Sequence, residues 1–285
     1  MKRNAIIRIV LFSILAVVLT MALLGGIGKK RYHNVHRIST TEGTASVVPQ
    51  DAASYSRPAN AVEKLSISWV SGQITIEAAD TDTVTVTEDR TGGQLPMVLK
   101  QDGSKLLVEC CADSSPIFFN VGNQVNKNLY ITVPLNWECE ELEIEAASAD
   151  VTVSGLTAHE VEVDTASGEY RFQDCHVDSL EMDTASGGLE FTGTLSKLDL
   201  DSASAGAKVN LSNHPKSIQI DSASGDLDLT LPEDCGFTVI LDTLSGSCST
   251  EQDTVKRDKK LIHGDGTCKI EVDGLSSSVH IRKGA

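Results

Sequence analysis

Short runs of alternating apolar and polar residues recur through the second half of the chain. Between Leu180 and Phe191, apolar side chains stand at every second position on both sides of a Ser-Gly pair. A period of two is typical of a β-strand with one buried face. The Ser-Gly pair predicts a corner, because glycine adopts backbone angles that other residues avoid. Each unit is therefore predicted to be strand, corner, strand and turn.

The corner carries a five-residue phrase, typified by Asp-Thr-Ala-Ser-Gly, that recurs at intervals of 18 to 21 residues. Its six copies begin at Glu145, Asp164, Asp183, Asp201, Asp221 and Asp242. A fixed period of this size predicts a solenoid, in which each unit buries its apolar face against its neighbours. We predict an all-β, single-domain β-solenoid of about 18–21-residue coils, with its regular repeats over residues 142–251.

The strand pattern continues on both sides of the regular repeats. Residues 65–77 predict a divergent first coil with a Ser-Gly corner, and the solenoid domain is assigned to residues 61–285. Further strands are predicted at residues 84–87, 106–109 and 130–134. A last coil is predicted at residues 269–282, where the charged pair Arg282 and Lys283 favours an exposed cap.

The N-terminal part of the chain predicts a membrane anchor. A basic flank, residues 1–8, precedes an uncharged apolar run over residues 9–28. Twenty helical residues span about 30 Å, the thickness of a bilayer core, so we predict one transmembrane helix. A cleaved signal peptide is the alternative, but the run lacks a good Ala-x-Ala cleavage pattern. Residues 29–60 are predicted to be a basic juxtamembrane segment followed by a flexible stalk.

Charge is distributed unevenly along the chain. The first 37 residues hold 7 of the 24 Lys+Arg and none of the 40 Asp+Glu, so residues 38–285 carry 17 − 40 = −23. Such a domain repels nucleic-acid phosphates and anionic lipid head groups, and no nucleic-acid partner is expected. Basic residues flank both sides of the apolar run, so the positive-inside rule leaves the membrane orientation open.

The repeated aspartates are the candidate site. In register, Asp164, Asp183, Asp201, Asp221 and Asp242 would stack at outward positions. Two charges about 5 Å apart repel by about 0.8 kcal/mol in water. A Ca²⁺ ion would relieve that repulsion, which makes these five aspartates weak candidate metal ligands. The alternative is that each Asp hydrogen-bonds its own corner.

Other chemistry is not indicated by the sequence. Seven cysteines occur without a C-x-x-C pair, so a zinc site is unsupported, while disulfides and free thiols both remain open. No Gly-x-Ser-x-Gly elbow or phosphate-binding glycine loop is present. We therefore predict neither a catalytic residue nor an organic cofactor, and the chain is not expected to be an enzyme.

Taken together, these features resemble the bacterial "putative adhesin" β-solenoid family, a domain of unknown function (DUF4097-like). The likeness covers about residues 61–283 and rests on the repeated units, the Ser71-Gly72 coil, the 133–135 lead and the 264–272 segment. Ala205 departs from the pattern, because the corner glycine moves one residue on. The resemblance implies a membrane-anchored cell-envelope protein with its solenoid outside the cell, linked to adhesion or envelope stress.

Three functions are compatible with this sequence. The first is a non-enzymatic module that binds an unknown protein or glycan partner at the cell surface. The second is a structural scaffold whose solenoid ends stack, and the third is a polysaccharide-active β-helix enzyme that uses two acidic residues. The short units favour the first, because they predict a smooth rod with few loops to build a cleft.

Overall fold

The computed structural model describes residues 54–89, 96–110 and 126–284. All of its strands belong to one 17-stranded sheet that winds through successive coils, which confirms the predicted all-β, solenoid-like fold. The predicted membrane segment, residues 9–28, lies outside the described residues. Inside them, no helix has the length and apolar character needed to cross a bilayer.

The strands cover most of the described chain, and a 3-10 helix at Ala59–Ala61 follows the first of them. They are β1 (Ser54–Pro58), β2 (Lys64–Ala79), β3 (Thr83–Asp89), β4 (Val98–Asp102), β5 (Lys105–Glu109), β6 (Asn128–Pro134), β7 (Glu138–Ser154), β8 (Thr157–Thr165), β9 (Glu169–Leu211), β10 (Ser217–Ser224), β11 (Leu227–Leu231), β12 (Phe237–Thr243), β13 (Cys248–Thr250), β14 (Val255–Arg257), β15 (Lys260–His263), β16 (Cys268–Ser276) and β17 (Val279–Lys283). Strand β1 falls within residues 29–60, so the sheet begins inside the segment predicted to be stalk.

Strand β8 shows how the regular coils stack. It pairs in parallel with β7 on one side and with β9 on the other. This register places Leu142, Val161 and Leu180 at one level of the interior, each at most 1% exposed. A fully buried side chain of this kind contributes about 1.5–3 kcal/mol. Because every coil repeats the arrangement, one continuous apolar core stabilises the stack.

The repeated phrase forms the corner between the two strands of a coil. Thr184 points inward, and its hydroxyl donates a hydrogen bond to the carbonyl oxygen of Ser186 at 2.9 Å. One coil earlier, the hydroxyl of Thr165 donates in the same way to the carbonyl oxygen of Ser167. Gly187 has a φ of +135°, and the carbonyl oxygen of Gly168 lies where a Cβ atom would stand. The phrase therefore supplies a hydroxyl that fixes the turn and a glycine that lets adjacent layers approach.

The order of coils along the stack differs from their order along the chain. Strand β16 pairs in parallel with β10 on one side and β12 on the other, and β17 lies between β11 and β13. The last coil is thus an interior layer, and the predicted exposed cap at Arg282 and Lys283 is wrong. Its inward residues Ile270 and Val272 are as apolar as those of any central coil, so both of its faces accept a neighbour.

A similar rearrangement occurs at the N-terminal end of the stack. Strand β2 pairs along most of its length with β7. Its other side pairs with β5 over the first half and with β6 over the second half. The coil formed by β2, which comes early in the sequence, is therefore an interior layer between β7 and the layer of β5 and β6.

Antiparallel strands close the two ends of the stack. Strands β4 and β1 lie outside β5 and β3, and β14 lies outside β15. β14 is three residues long and fully exposed, and two of its residues are basic. Short, charged edge strands discourage pairing with another chain.

The corner geometry predicts a large effect of Gly187→Ala. We expect the free energy of unfolding to fall by about 2–4 kcal/mol, since backbone strain at positive φ costs about 1–2 kcal/mol and the overlap with Gly168 adds to it. Gly103→Ala is the matched control, because Gly103 also has a positive φ but no atom within 4 Å of the added Cβ. Urea unfolding of both variants measures the difference, and equal losses would contradict a role for the close approach.

The interior position of the last coil predicts what its deletion does. Removal of residues 268–285 is expected to free residues 237–263 as well, because β12 and β13 lose their parallel neighbours. Limited proteolysis with mass spectrometry should then show cleavage beginning near residue 232, whereas removal of Gly284 and Ala285 alone leaves the pattern unchanged. Continued protection of residues 237–263 in the deletion variant would count against this stacking order.

Candidate functional site

The acidic residues of the corners form a ladder, as the sequence predicts. In stack order it consists of Glu145, Asp164, Asp183, Asp201, Asp221, Asp273 and Asp242. Asp273 of the interior last coil separates Asp221 from Asp242, so these two predicted neighbours are not adjacent. The prediction missed Asp273 because it does not begin a copy of the repeated phrase.

A second ladder runs beside the first, two residues earlier on each strand. Its members are Glu143, Glu162, Glu181, Asp199 and Glu271, with Gln219 between the last two. Side chains two residues apart on a strand share one face. The spacing of acidic residues before each corner would have revealed this ladder from the sequence, although only the corner aspartates were predicted. The two ladders together are called the acidic face below.

Cations neutralise the acidic face only towards its ends. Lys105 lies 2.7 Å from Glu143 at the N-terminal end, and Lys269 lies 2.7 Å from Glu271 towards the other end. Within the residues that the structure describes, no lysine or arginine forms an ion pair with Asp183, Asp201 or Glu181. The middle of the face therefore carries uncompensated negative charge.

The opposite outer face of the solenoid has a different charge pattern. Arg171 lies 3.8 Å from Glu190, which also pairs with Lys208 at 2.9 Å. Farther along, Arg282 lies 3.4 Å from Asp228. Arginine and lysine side chains thus pair with carboxylates on this face, unlike in the middle of the acidic face.

The pKa values of the central carboxyls are raised. Partial burial, followed by the charges of Asp221 and Asp183, raises the pKa of Asp201 to about 7. Partial burial, followed by Asp164 and then Glu181, raises the pKa of Asp183 to about 6. Charges one layer apart, about 4.8 Å, repel by about 0.9 kcal/mol in water and by more beside a protein. Binding of a cation would relieve this repulsion.

Inside the described ranges, Asp183 and Asp201 are not held by the corner hydrogen bonds. Among the described residues, Oδ1 of Asp201 is buried and accepts no hydrogen bond. Asp221 accepts a hydrogen bond from the side chain of Gln219 at 3.2 Å, which is an outer-face contact. The hydroxyl of Thr184, not the carboxylate of Asp183, makes the corner bond. The carboxylates of Asp183 and Asp201 therefore take no part in fixing their own corners.

The ladder does not form a ready metal cage. In the described parts of the chain, no group of three or more His, Cys, Asp or Glu side chains is arranged to hold a metal ion. Ca²⁺ takes six to eight oxygen ligands, whereas each layer offers the ladder one carboxylate on an open sheet. Calcium binding at Asp164, Asp183, Asp201, Asp221 and Asp242 stays a prediction that a titration has to test.

The cysteines lie in the core and away from the acidic face. Within the described residues, Cys139, Cys175, Cys235, Cys248 and Cys268 are free thiols. All of these except the half-buried Cys248 are buried, and Cys110 is buried as well. Burial raises the pKa of Cys139 and Cys268 to about 12 and that of Cys175 to about 11. A thiol is nucleophilic only as thiolate, so these groups are inert at neutral pH.

A buried ion pair lies at the N-terminal end of the stack. The ammonium of Lys127 and the carboxylate of Glu88 are 2.7 Å apart, and both side chains are fully buried. The backbone N–H of Met97 donates to Glu88, and the ammonium lies 5.0 Å from the ring centroid of Trp69. No sequence motif predicts this pair, because its partners are 39 residues apart. Loss of either partner would leave a buried charge, so the pair fixes how these layers pack.

The raised pKa values predict that the ladder destabilises the protein as pH rises. Asp201 and Asp183 bind protons more tightly in the folded than in the unfolded state, so their contribution to stability is full below about pH 4 and is lost as pH rises through 6 to 7. Asp201→Asn should therefore be more stable than the wild type above pH 7, by about 1 kcal/mol after allowance for solvent screening.

Urea unfolding over a pH series measures this gain. The gain from Asp201→Asn should shrink as the pH is lowered, while Asp102→Asn, outside the ladders, should show no such trend. A gain in stability that does not depend on pH would contradict the raised pKa of Asp201 as its cause.

Comparisons with known proteins agree with this architecture. The model of the Toastrack DUF4097 family matches residues 62–210 and 135–276. No curated protein is significantly similar in sequence. Among solved structures, a "putative adhesin" from Bacteroides fragilis has a TM-score of 0.50 at 14% identity, over 80% of this chain and 95% of that one.

Two further solved structures match with lower TM-scores. A "putative cell adhesion protein" from Clostridium sporogenes has a TM-score of 0.38 at 12% identity, over 81% of this chain and 99% of that one. A "putative lipid binding protein" from Parabacteroides distasonis has a TM-score of 0.37 at 15% identity, over 84% and 99%. The family model covers most of the chain, in keeping with the wound sheet and the repeated corners. The chain belongs to the Toastrack DUF4097 family.

Proposed function

We propose that this protein is a non-enzymatic binding module of the cell envelope, anchored in the membrane by residues 9–28 with its solenoid outside the cell. The acidic face is its binding surface. The observation that carries the proposal is the uncompensated charge at Asp183, Asp201 and Glu181, in the middle of two carboxylate ladders. The partner is a protein segment or glycan that carries positive charge.

The electrostatics of the face support a cationic partner. Repulsion between the layers is relieved when a positive group approaches, so part of the unfavourable energy of the free protein is recovered on binding. The opposite face, with its Arg171–Glu190–Lys208 cluster, offers no comparable gain in binding free energy to a cationic partner. A partner would therefore orient itself on one side of the solenoid.

The flatness of the acidic face disfavours the enzyme alternative. Between β7 and β12, the strands are joined by connections of two to five residues. Glycoside hydrolysis needs two carboxyl groups on either side of a bound sugar, and hence a cleft. The carboxylates here lie side by side on one open sheet. The name "putative adhesin" of the Bacteroides fragilis structure is in keeping with binding rather than catalysis.

The ends of the stack disfavour the self-assembling scaffold. End-to-end polymerisation of a solenoid needs an open parallel layer at each end. Here β1, β4 and β14 are antiparallel edge strands, and β14 is short and basic. These features oppose continuous stacking of one copy on the next.

Titration of the 54–285 fragment with an oligolysine peptide tests the acidic face. At about pH 8, where the central carboxyls are charged, wild type should bind, and Asp183→Asn/Asp201→Asn should weaken the affinity about tenfold, as expected for loss of close charge pairs. Glu77→Gln/Asp102→Asn removes two carboxylates outside the face and should leave affinity unchanged. Isothermal titration calorimetry gives the affinities.

A parallel arm replaces the peptide with Ca²⁺. An ion that binds only the folded state raises the melting temperature by mass action. A rise that the chelator reverses and that Asp183→Asn/Asp201→Asn abolishes would make the ladder a calcium site. Absence of oligolysine binding to the folded wild type, or equal weakening by both double variants, would overturn the acidic face as the binding surface.

A further inference from the structure

The β14–β15 hairpin concentrates positive charge at one end of an acidic molecule. Residues 256–260 hold four basic side chains and Asp258, a net charge of 4 − 1 = +3. All five side chains are exposed. Within the described residues, none of the four cations forms an ion pair. The hairpin is the outermost layer at the end of the stack opposite Ser54.

Apolar side chains lie beside these cations on the same outer surface. Ile240 continues the second carboxylate ladder, next to Glu271, but carries no charge. It pairs with Lys260 of β15, and Ile262 of β15 pairs with Val255 of β14, which is 58% exposed. Leu261, which lies between Lys260 and Ile262 in the sequence, packs against the core and does not face outward. Val255, Ile262 and Ile240 together with Arg257, Lys259 and Lys260 are called the basic tip, whereas Lys256 pairs with Leu261 and lies on the other side of the hairpin.

We propose that the basic tip docks on an anionic phospholipid membrane surface. Basic residues near such a surface are attracted to its head groups, and adjacent exposed apolar side chains enter the boundary between head groups and acyl chains. The tip presents both elements on one surface. This contact is additional to the predicted anchor at residues 9–28 and involves the opposite end of the described domain.

The chemistry of the tip favours lipid over the acidic face of a second copy. Carboxylate ladders would match the cations of the tip, but they offer no apolar surface to cover Val255 and Ile262. A lipid head group offers negative charge and an apolar layer beneath it. The combined pattern therefore fits a membrane better than it fits another molecule of this protein.

The central carboxylates lie too far from the tip to prevent an end-on approach. Asp201 lies four layers from β15, about 19 Å along the stack at about 4.8 Å per layer. The Debye length is about 8 Å at physiological ionic strength, so the central carboxylates are screened from a membrane at the tip. The repulsion expected from the net charge acts when the acidic face is turned to the membrane.

Vesicle sedimentation with the 54–285 fragment tests the proposal. This fragment is a folding unit, because it contains every described strand and the family model lies within residues 62–276. Binding is expected to vesicles of phosphatidylcholine mixed with phosphatidylglycerol but not to phosphatidylcholine alone, and to decrease with added salt. Arg257→Gln/Lys260→Gln should weaken the partition roughly ten- to thirtyfold, and Val255→Ser should weaken it by a smaller factor.

The control is Lys197→Gln/Lys216→Gln, which removes two exposed lysines of the central coils and should leave partition unchanged. Circular dichroism establishes that each variant is folded. An equal loss of vesicle binding in the control variant would overturn the proposal. So would the absence of binding of folded wild type to the anionic vesicles. Release of bound protein by millimolar inorganic phosphate would identify a phosphate-ion site instead. The wild type could instead self-associate in the absence of vesicles, and Arg257→Gln/Lys260→Gln could abolish this. That result would assign the tip to contact with a second copy and would also overturn the proposal.

Discussion

Parallel stacking of identical layers is the constraint on which the rest of this structure depends. Each layer lies about 4.8 Å from the next, so equivalent residues of successive coils occupy one line. At the corner, the carbonyl oxygen of Gly168 faces the Cα atom of Gly187, and no larger residue fits there. The same close approach to a neighbouring carbonyl recurs at Gly168, Gly225 and Gly246, whereas two copies of the phrase end in alanine, at Ala149 and Ala205. Any outward residue within the phrase then becomes a ladder.

The acidic face follows from this geometry and carries an electrostatic cost. Carboxylates at one layer spacing repel, and the apolar core is strong enough to hold them in register. Lys105 and Lys269 reduce the repulsion near the ends, while Asp183 and Asp201 respond with raised pKa values. This face differs from an ordinary solvated surface, because protonation of one carboxyl reduces the repulsion on its neighbours.

Much of the fold could be predicted from the sequence, because the repeated phrase marks the strands and the corner of each coil. The period-two pattern placed Leu180 and Phe191 in the core, and the Ser-Gly pairs marked the corners. The position of the last coil could not be predicted, since its Ile270 and Val272 fit an interior and a terminal layer equally well. Asp273 was missing from the predicted site because it does not begin a copy of the repeated phrase. The Lys127–Glu88 pair joins distant segments without a local signal, and only three-dimensional packing reveals it.

The interior position of the last coil has a consequence for how the molecule is made. A ribosome delivers residues 268–283 after all the strands on which they pack, and β12 acquires its parallel neighbour only when they arrive. A nascent chain that ends before residue 268 therefore has two groups of coils and no layer to join them. Unlike a solenoid that grows by adding coils in order, this one reaches its continuous core only after residues 268–283 have been made.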